Sequence, residues 1–224
     1  MAIKLDTSNH PSAILNAYKY NQDKLKEYQL LIEYRSLKHY APVGVYVLPQ
    51  LNNIKIWQGV IFIRQGLYKG GVFRFKIEIP ENYPTIRPSV FFHTYVFHPL
   101  IHPETGELAL GPQFPLWRPG KDFIFCILGY IKKIFYFKDT WTMSKYVLNS
   151  QALYIYTQDE RMFNEEARRC VLACEEDEES NTKNPFRFTN FNAFHKKILD
   201  VLRKNPNDPG QFMRWFNKTF NAIS

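Results

Sequence analysis

The amino-acid sequence predicts an α+β fold in which a four-stranded antiparallel meander has flanking helices. Three observations favour this fold class. Apolar residues alternate with charged ones from Phe73 to Ile79, which is typical of a strand with one buried and one solvated face. Short turns rich in glycine and proline separate the apolar segments around it. Helical spacing of apolar residues precedes and follows the strands, as in α+β domains.

The first element is a predicted helix from about Ile14 to Lys38. Its apolar residues recur at roughly helical spacing among Lys, Gln and Glu: Leu15, Tyr18, Leu25, Tyr28, Leu31 and Ile32. Two segments rich in β-branched and aromatic residues follow, Gly44–Pro49 and Ile54–Arg64, with polar residues 50–53 between them. They predict a β-hairpin.

The third and fourth strands follow in order. Tyr68–Gly71 supplies the glycines for a turn into the third strand. Residues Pro80–Pro84 end that strand, because proline cannot donate a hydrogen bond to a neighbouring strand. Ser89–Phe92 is the predicted fourth strand. Beyond the long irregular segment, helical spacing predicts one buried helix over Phe123–Phe135 and another from about Asn149 to Cys174.

Composition divides the chain into four predicted regions. An acidic run, Glu175–Glu179, followed by polar residues and Pro185, indicates a linker. The segment beyond it is rich in Phe and basic residues and predicts two short helices. The regions are an N-terminal extension (1–22), the α+β domain (23–174), the linker (175–189) and a basic, Phe-rich helical tail (190–224).

The net charge and the cysteine content limit the kinds of function that this chain can have. The net charge is +8 even though the acidic run contributes five negative charges, so the rest of the chain is basic and favours an acidic partner. No nucleic-acid recognition motif accompanies this charge, and no apolar run is long enough to cross a membrane. Three scattered cysteines do not form a disulfide framework. We expect a cytoplasmic protein without a transmembrane segment.

The segment His98–Trp117 has the composition of an active-site loop, with two His-Pro dipeptides and a turn, yet it contains no cysteine or serine. His98 and His102 are four residues apart, but the prolines argue against the helix that would make them a metal pair. Cys170 and Cys174 share a helical face without further ligands at metal-site spacing. We therefore expect neither a metal nor a cofactor.

Several motifs resemble those of ubiquitin-conjugating (E2) enzymes, in the same order along the chain. These motifs are a Tyr-x-Gly-Gly-x-Phe hairpin from Tyr68, a Pro-x-x-Tyr-Pro turn from Pro80, a His-Pro at His98 and a Trp-x-Pro at Trp117. The resemblance implies an E2-like fold over about two thirds of the chain. In E2 enzymes a cysteine in a Gly-x-x-Cys-Leu context accepts ubiquitin as a thioester.

The same resemblance implies that this chain cannot form the ubiquitin thioester of E2 enzymes. Gly106–Leu110 reads Gly-Glu-Leu-Ala-Leu, which puts Ala109 at the cysteine position. The family asparagine that supports the oxyanion corresponds to Leu100, which has no side-chain donor. An alanine methyl group cannot attack a thioester, so the resemblance implies a variant that is not an enzyme.

Among E2 variants the chain is most similar to the Fused Toes family, which includes crossbronx. The segments that carry this likeness are Lys26–Tyr34, Gly44–Pro49, Trp57–Tyr68 and Phe114–Arg118. The family implies a noncatalytic adaptor in a complex with Hook-type coiled-coil proteins, peripheral to vesicles or endosomes. The alternative is a ubiquitin-binding cofactor that pairs with an active E2 and directs chain formation.

The tail offers candidate partner-binding residues. Phe212, Trp215 and Phe216 share one side of the last predicted helix, with Arg214 and Lys218 on its flank. Aromatic residues beside basic ones are favoured as anchors in protein interfaces. The competing interpretation is that these aromatic residues dock the tail on the domain core.

Overall fold

The structure is a computed structural model that describes residues 11–136, 141 and 144–176, with side chains for residues 24–136, 141 and 145–174. In chain order the described part holds α1 (Pro11–Tyr40), β1 (Val45–Gln50), β2 (Asn53–Phe62), β3 (Val72–Glu78), β4 (Ser89–Phe92), α2 (Ile124–Tyr136), a 3-10 turn (Ser144–Tyr146), α3 (Ser150–Gln158) and α4 (Glu160–Glu176). This order confirms the predicted α+β class. The first helix begins inside the segment assigned to the N-terminal extension.

The four strands form one sheet in the order β1-β2-β3-β4, and every neighbouring pair is antiparallel. This arrangement confirms the predicted meander, and each predicted strand lies within a few residues of the observed one. Gly59 in β2 faces Phe75 in β3, and a methyl group at Gly59 would overlap the Phe75 ring. The close approach of that ring explains why β2 carries a glycine in its middle.

The third strand follows the predicted alternation with one exception. Phe73, Phe75 and Ile77 are fully buried, as expected. Arg74, predicted on the solvated face, is only 4% exposed, and its backbone N–H donates to the Thr94 hydroxyl at 2.9 Å. The residues just after β4 bond to the Arg74 backbone, since the His93 N–H also donates to the Arg74 carbonyl oxygen at 2.9 Å, and the outer face is buried at this residue, contrary to the alternation.

Helix α1 packs on the sheet through a face that the sequence did not single out. Leu30 and Leu37 are buried, and Tyr34 packs edge-to-face on Trp57 with ring centroids 5.6 Å apart. The described members of the predicted apolar stripe are instead exposed: Leu25, Tyr28, Leu31 and Ile32. The helix therefore has apolar residues on two faces, of which one packs against the domain.

Helix α2 runs through the core and confirms the predicted buried face. Near its end, Phe135 stacks on Phe73 at 5.2 Å and meets Tyr68 edge-to-face at 5.2 Å. Trp141 extends this aromatic cluster and lies 4.7 Å from the His98 ring. The cluster joins the sheet, α2 and the start of the His98–Trp117 loop.

The helix predicted from Asn149 to Cys174 is two helices, which corrects that prediction. Asp159 has an extended backbone conformation between them, and its carboxylate accepts the N–H groups of Arg161 and Met162, both at 3.0 Å. An aspartate that satisfies the first N–H groups of a helix is an N-cap. α4 consequently begins as a new helix at Glu160.

Candidate functional site

The His98–Trp117 loop is anchored to the core by His98. The His98 ring is fully buried, its Nδ1 accepts the Leu100 N–H at 3.0 Å, and its Nε2 donates to the Ile134 carbonyl oxygen at 3.1 Å. Burial lowers the pKa of His98 to about 3, so the imidazole is neutral at physiological pH. Both ring nitrogens are engaged with backbone groups. His98 therefore holds the loop on α2 and has no lone pair left for a metal or a substrate proton.

His102 closes the turn that follows. Its Nδ1 faces the N–H groups of Glu104 at 3.3 Å and Thr105 at 3.2 Å, and its carbonyl oxygen accepts the Gly106 N–H at 3.0 Å. His98 and His102 thus have separate backbone partners. No group of His, Cys, Asp and Glu suited to a metal ion occurs among the residues that the structure describes.

Gly106 fixes the approach of the loop to the sheet. It has a φ of +70°, which side chains rarely adopt, and a methyl group at this position would overlap the Phe92 carbonyl oxygen. The Phe92 N–H in turn donates to the Gly106 carbonyl oxygen at 2.8 Å. Isolated antiparallel bridges pair Phe91 with Glu107 and Ile101 with Leu108. The loop is held like an additional strand beside β4.

Leu100, predicted at the oxyanion position, is fully buried and belongs to the hydrophobic core. Its N–H donates to His98, and its carbonyl oxygen accepts the Ala109 N–H at 2.8 Å. Because the side chain has no polar atom and the backbone groups are already bonded, Leu100 offers no free donor to a reaction at Ala109.

Ala109, predicted at the cysteine position, is partly exposed and packs against the core. Its N–H donates to Leu100, and its carbonyl oxygen accepts the Tyr130 hydroxyl at 2.9 Å. Burial raises the pKa of Tyr130, which keeps the phenol protonated as a donor. Tyr130 therefore ties the centre of the loop to α2. The structure brings Ala109 and Leu100 together, as the sequence predicts, through a backbone hydrogen bond.

Tyr146 is a residue of the site that sequence reasoning missed. A methyl group at Gly111 would overlap the Tyr146 ring, so this ring lies directly over the backbone two residues after Ala109. The segment that carries it is bound to the loop, because Leu148 and Asn149 both donate to the Pro99 carbonyl oxygen at 3.0 Å. Tyr146 lies 35 residues from Gly111 in sequence, and no local pattern indicates the contact.

The three cysteines lie in helices rather than in the loop. Cys170 and Cys174 are buried in α4, where their thiols donate to helix carbonyl oxygens at 3.0 Å. Burial raises the pKa of Cys170 to about 11. Cys126 is partly buried in α2, four residues before Tyr130, whose hydroxyl donates to the Ala109 carbonyl oxygen.

The other end of the loop is fixed by Trp117 and Arg118. The Trp117 indole donates to the Pro84 carbonyl oxygen at 2.7 Å. Arg118 binds the buried Asp122 carboxylate through two side-chain nitrogens, at 3.0 and 2.7 Å, and through its backbone N–H at 2.7 Å. These hydrogen bonds hold the pKa of Asp122 below its usual value. The loop is therefore anchored at both ends, in agreement with a structural role.

Glu33 connects α1 to the same part of the domain. Its carboxylate accepts the Tyr83 hydroxyl and, at 3.1 Å, the N–H of Ile124 at the start of α2. Burial raises the pKa of Glu33. One carboxylate thus joins α1, the turn after β3 and α2.

The predicted partner-binding residues Phe212, Trp215 and Phe216 lie outside the described residues.

A family model described as ubiquitin-conjugating enzyme matches residues 26–171. Together with the sheet and the loop described above, this match shows that the chain belongs to the ubiquitin-conjugating enzyme family. Within that class the chain is similar to the protein crossbronx homolog of Anopheles gambiae, at 32% identity over 209 residues. That alignment covers 88% of this chain and 92% of the relative.

Two further relatives carry the AKTIP name. The protein AKTIP homolog of Nematostella vectensis is 40% identical over 149 residues, and the AKT-interacting protein of Rattus norvegicus is 39% identical over the same number. Both alignments cover 66% of this chain but only 49% and 50% of the relatives, so the chain spans about half their length. These relatives confirm the predicted resemblance to the family that includes crossbronx. No helix among the described residues is long and apolar enough to cross a membrane.

Proposed function

We propose that this protein is a catalytically inactive E2 variant that acts as a protein-binding adaptor. The observation that supports the proposal concerns Ala109, the residue predicted at the cysteine position: it has no thiol, and both of its backbone groups are already hydrogen-bonded. Leu100 beside it supplies no oxyanion donor. A loop that is well anchored but has no nucleophile supports a role for the scaffold rather than for its chemistry.

The names of the relatives support a role in protein binding. Those called AKT-interacting protein are named for an interaction with another protein, and crossbronx homologs share the same domain. We further propose that the protein is a cytoplasmic adaptor and that it joins a Hook-type coiled-coil complex at the surface of vesicles or endosomes. The aromatic residues Phe212, Trp215 and Phe216 of the tail are proposed to add to the contact.

A second candidate function is that of a ubiquitin-binding cofactor for an active E2. The observation that favours it is the outer face of β1, where Tyr46 and Leu48 are exposed and Tyr46 packs edge-to-face on Phe62 with ring centroids 6.0 Å apart. An exposed apolar surface on a rigid sheet can bind a small globular protein.

Affinity purification of the full-length chain, followed by identification of the bound proteins, separates the two functions. The adaptor function predicts recovery of a coiled-coil trafficking protein, and this recovery should survive the double substitution Tyr46→Ser/Leu48→Ser. The cofactor function predicts recovery of an active E2 and ubiquitin, and the same double substitution should abolish it. Recovery of an active E2 with ubiquitin and without a coiled-coil protein would overturn the adaptor proposal.

A further inference from the structure

Helix α1 has an apolar face that nothing in the described domain covers. Leu25, Tyr28 and Ile32 are 63%, 64% and 67% exposed. A helix turns about 100° per residue, so these three side chains form one narrow row on the side opposite the buried Leu30. We call this row, Leu25, Tyr28 and Ile32, the α1 seam. Single exposed apolar residues are common, but an aligned row on a packed helix indicates an interaction surface.

The spacing of the α1 seam matches one particular kind of partner. Steps of three and then four residues are those of the a and d positions of a heptad, which insert between the side chains of a second helix. In the sequence the same spacing continues backward from Leu25 through Asn21 and Tyr18 to Ile14. The backbone of α1 is helical over all of these positions. A row with this period fits an α-helix better than an extended peptide.

Charges beside the seam define the chemistry of the partner. Lys24 and Lys38 occupy the heptad positions next to the row, and Arg35 continues it. All three residues are exposed. Of the nearby carboxylates, Glu27 pairs with Lys24 at 2.8 Å and Glu33 faces the interior, where it binds Tyr83. Because Lys24 and Glu27 offset each other, Arg35 and Lys38 give the described surface around the seam its net positive charge, and a complementary helix carries Asp or Glu at its flanking positions.

The same charges argue against two other occupants. A second copy of α1 would bring its own Arg35 and lysines against this basic surface, which is unfavourable. Residues 190–224 of this chain are also basic. An acidic-flanked helix of another protein meets the charge requirement that both alternatives fail.

We propose that the α1 seam is the docking surface for an α-helix of a coiled-coil partner, with apolar residues at its heptad core and acidic residues at its flanks. This inference rests on the proposed adaptor function, because it assigns a surface to the coiled-coil protein expected there. Because the seam side chains are exposed, their substitution leaves the packing of the domain intact, and binding can be changed separately from folding.

The first test measures binding of the full-length chain to the coiled-coil protein recovered with it. Tyr28→Ala/Ile32→Ala should weaken binding at least about 30-fold, as expected for central apolar anchors. The matched control Tyr154→Ala removes an equally exposed tyrosine from α3 and should change binding less than about twofold. Lys24→Glu/Lys38→Glu should weaken binding about 10-fold at low salt, whereas Arg64→Glu/Lys69→Glu, with the same charge change elsewhere, should not.

The second test identifies the occupant directly. A benzophenone amino acid placed at Tyr28 of the full-length chain should crosslink to a heptad-patterned helix with acidic flanks. A crosslink to a second copy, or to residues 190–224, would overturn the inference. If the wild-type chain recovers the coiled-coil protein and the seam variants bind it equally well, the inference fails while the adaptor function stands. If the wild-type chain recovers no coiled-coil protein, both fail.

Discussion

The loop around Ala109 and the outer face of α1 have opposite properties. In the loop, His98, Leu100 and Ala109 form hydrogen bonds to one another or to α2, and Tyr146 covers the backbone at Gly111. On the outer face of α1 large apolar side chains are exposed beside lysines. The loop predicted to correspond to the catalytic loop of E2 enzymes is thus bonded into the scaffold here. The surface suited to a partner lies on the first helix.

The largest expected effect comes from breaking the loop at Gly106. Gly106→Ala should lower the free energy of unfolding by at least about 3 kcal/mol, because the added methyl group overlaps the Phe92 carbonyl oxygen at a backbone conformation that alanine disfavours. Gly120→Ala is the control, since Gly120 also has a positive φ but no atom near its missing side chain. It should cost about 1 kcal/mol. If urea titrations show the same loss of unfolding free energy for Gly106→Ala and Gly120→Ala, the loop accommodates the added methyl group and the prediction is wrong.

Substitutions at two neighbouring residues of α1, Glu33 and Ile32, compare the packed face of this helix with its exposed face. Glu33→Ala should cost about 2 kcal/mol of unfolding free energy, because the Tyr83 hydroxyl and the Ile124 N–H lose their acceptor. Ile32→Ala, one residue away on the seam, should change stability by less than about 0.5 kcal/mol. Chemical denaturation of both variants provides the comparison. A large loss for Ile32→Ala would mean that the seam is already covered within this chain.

The smallest expected change, counted per unit of pH, concerns the pH dependence of stability. The pKa of His98 is about 3 in the folded chain and 6.5 in its ordinary state, so below pH 6.5 the unfolded chain binds a proton that the folded chain does not. Stability therefore falls as the pH falls from 6.5 towards 3, by up to about 1.4 kcal/mol per pH unit from this group. His98→Gln should reduce the slope between pH 4 and 6 by about 1 kcal/mol per unit. A slope that His98→Gln leaves unchanged would contradict the role given to His98.

Local patterns were enough to predict the strands and α2, because alternation, turn residues and helical spacing are encoded within a few positions. The resemblance to E2 enzymes, rather than a local pattern, predicted that Ala109 and Leu100 lie in one site. The α1 stripe was misplaced because apolar residues occupy two faces of that helix, and spacing alone does not say which face packs. The break at Asp159 could have been found, because aspartate before a helical segment is an N-cap signal.

Contacts between residues that are far apart in the sequence could not be predicted. Nothing near Gly111 indicates that Tyr146 covers it, and nothing near Glu33 indicates that it binds Tyr83 and the start of α2. Such contacts follow from packing of distant elements, which a single sequence read by pattern does not specify.

The most direct test of the central claim is a ubiquitin-charging assay on the full-length wild-type chain. The protein is incubated with activating enzyme, ATP and ubiquitin, and products are compared on gels with and without reductant, beside an active E2. We expect no adduct sensitive to reductant, because Ala109 has no thiol and Cys170 is held protonated by burial. A reductant-sensitive ubiquitin adduct that Cys126→Ser abolishes would show instead that Cys126 is a displaced nucleophile and that the protein is an active conjugating enzyme.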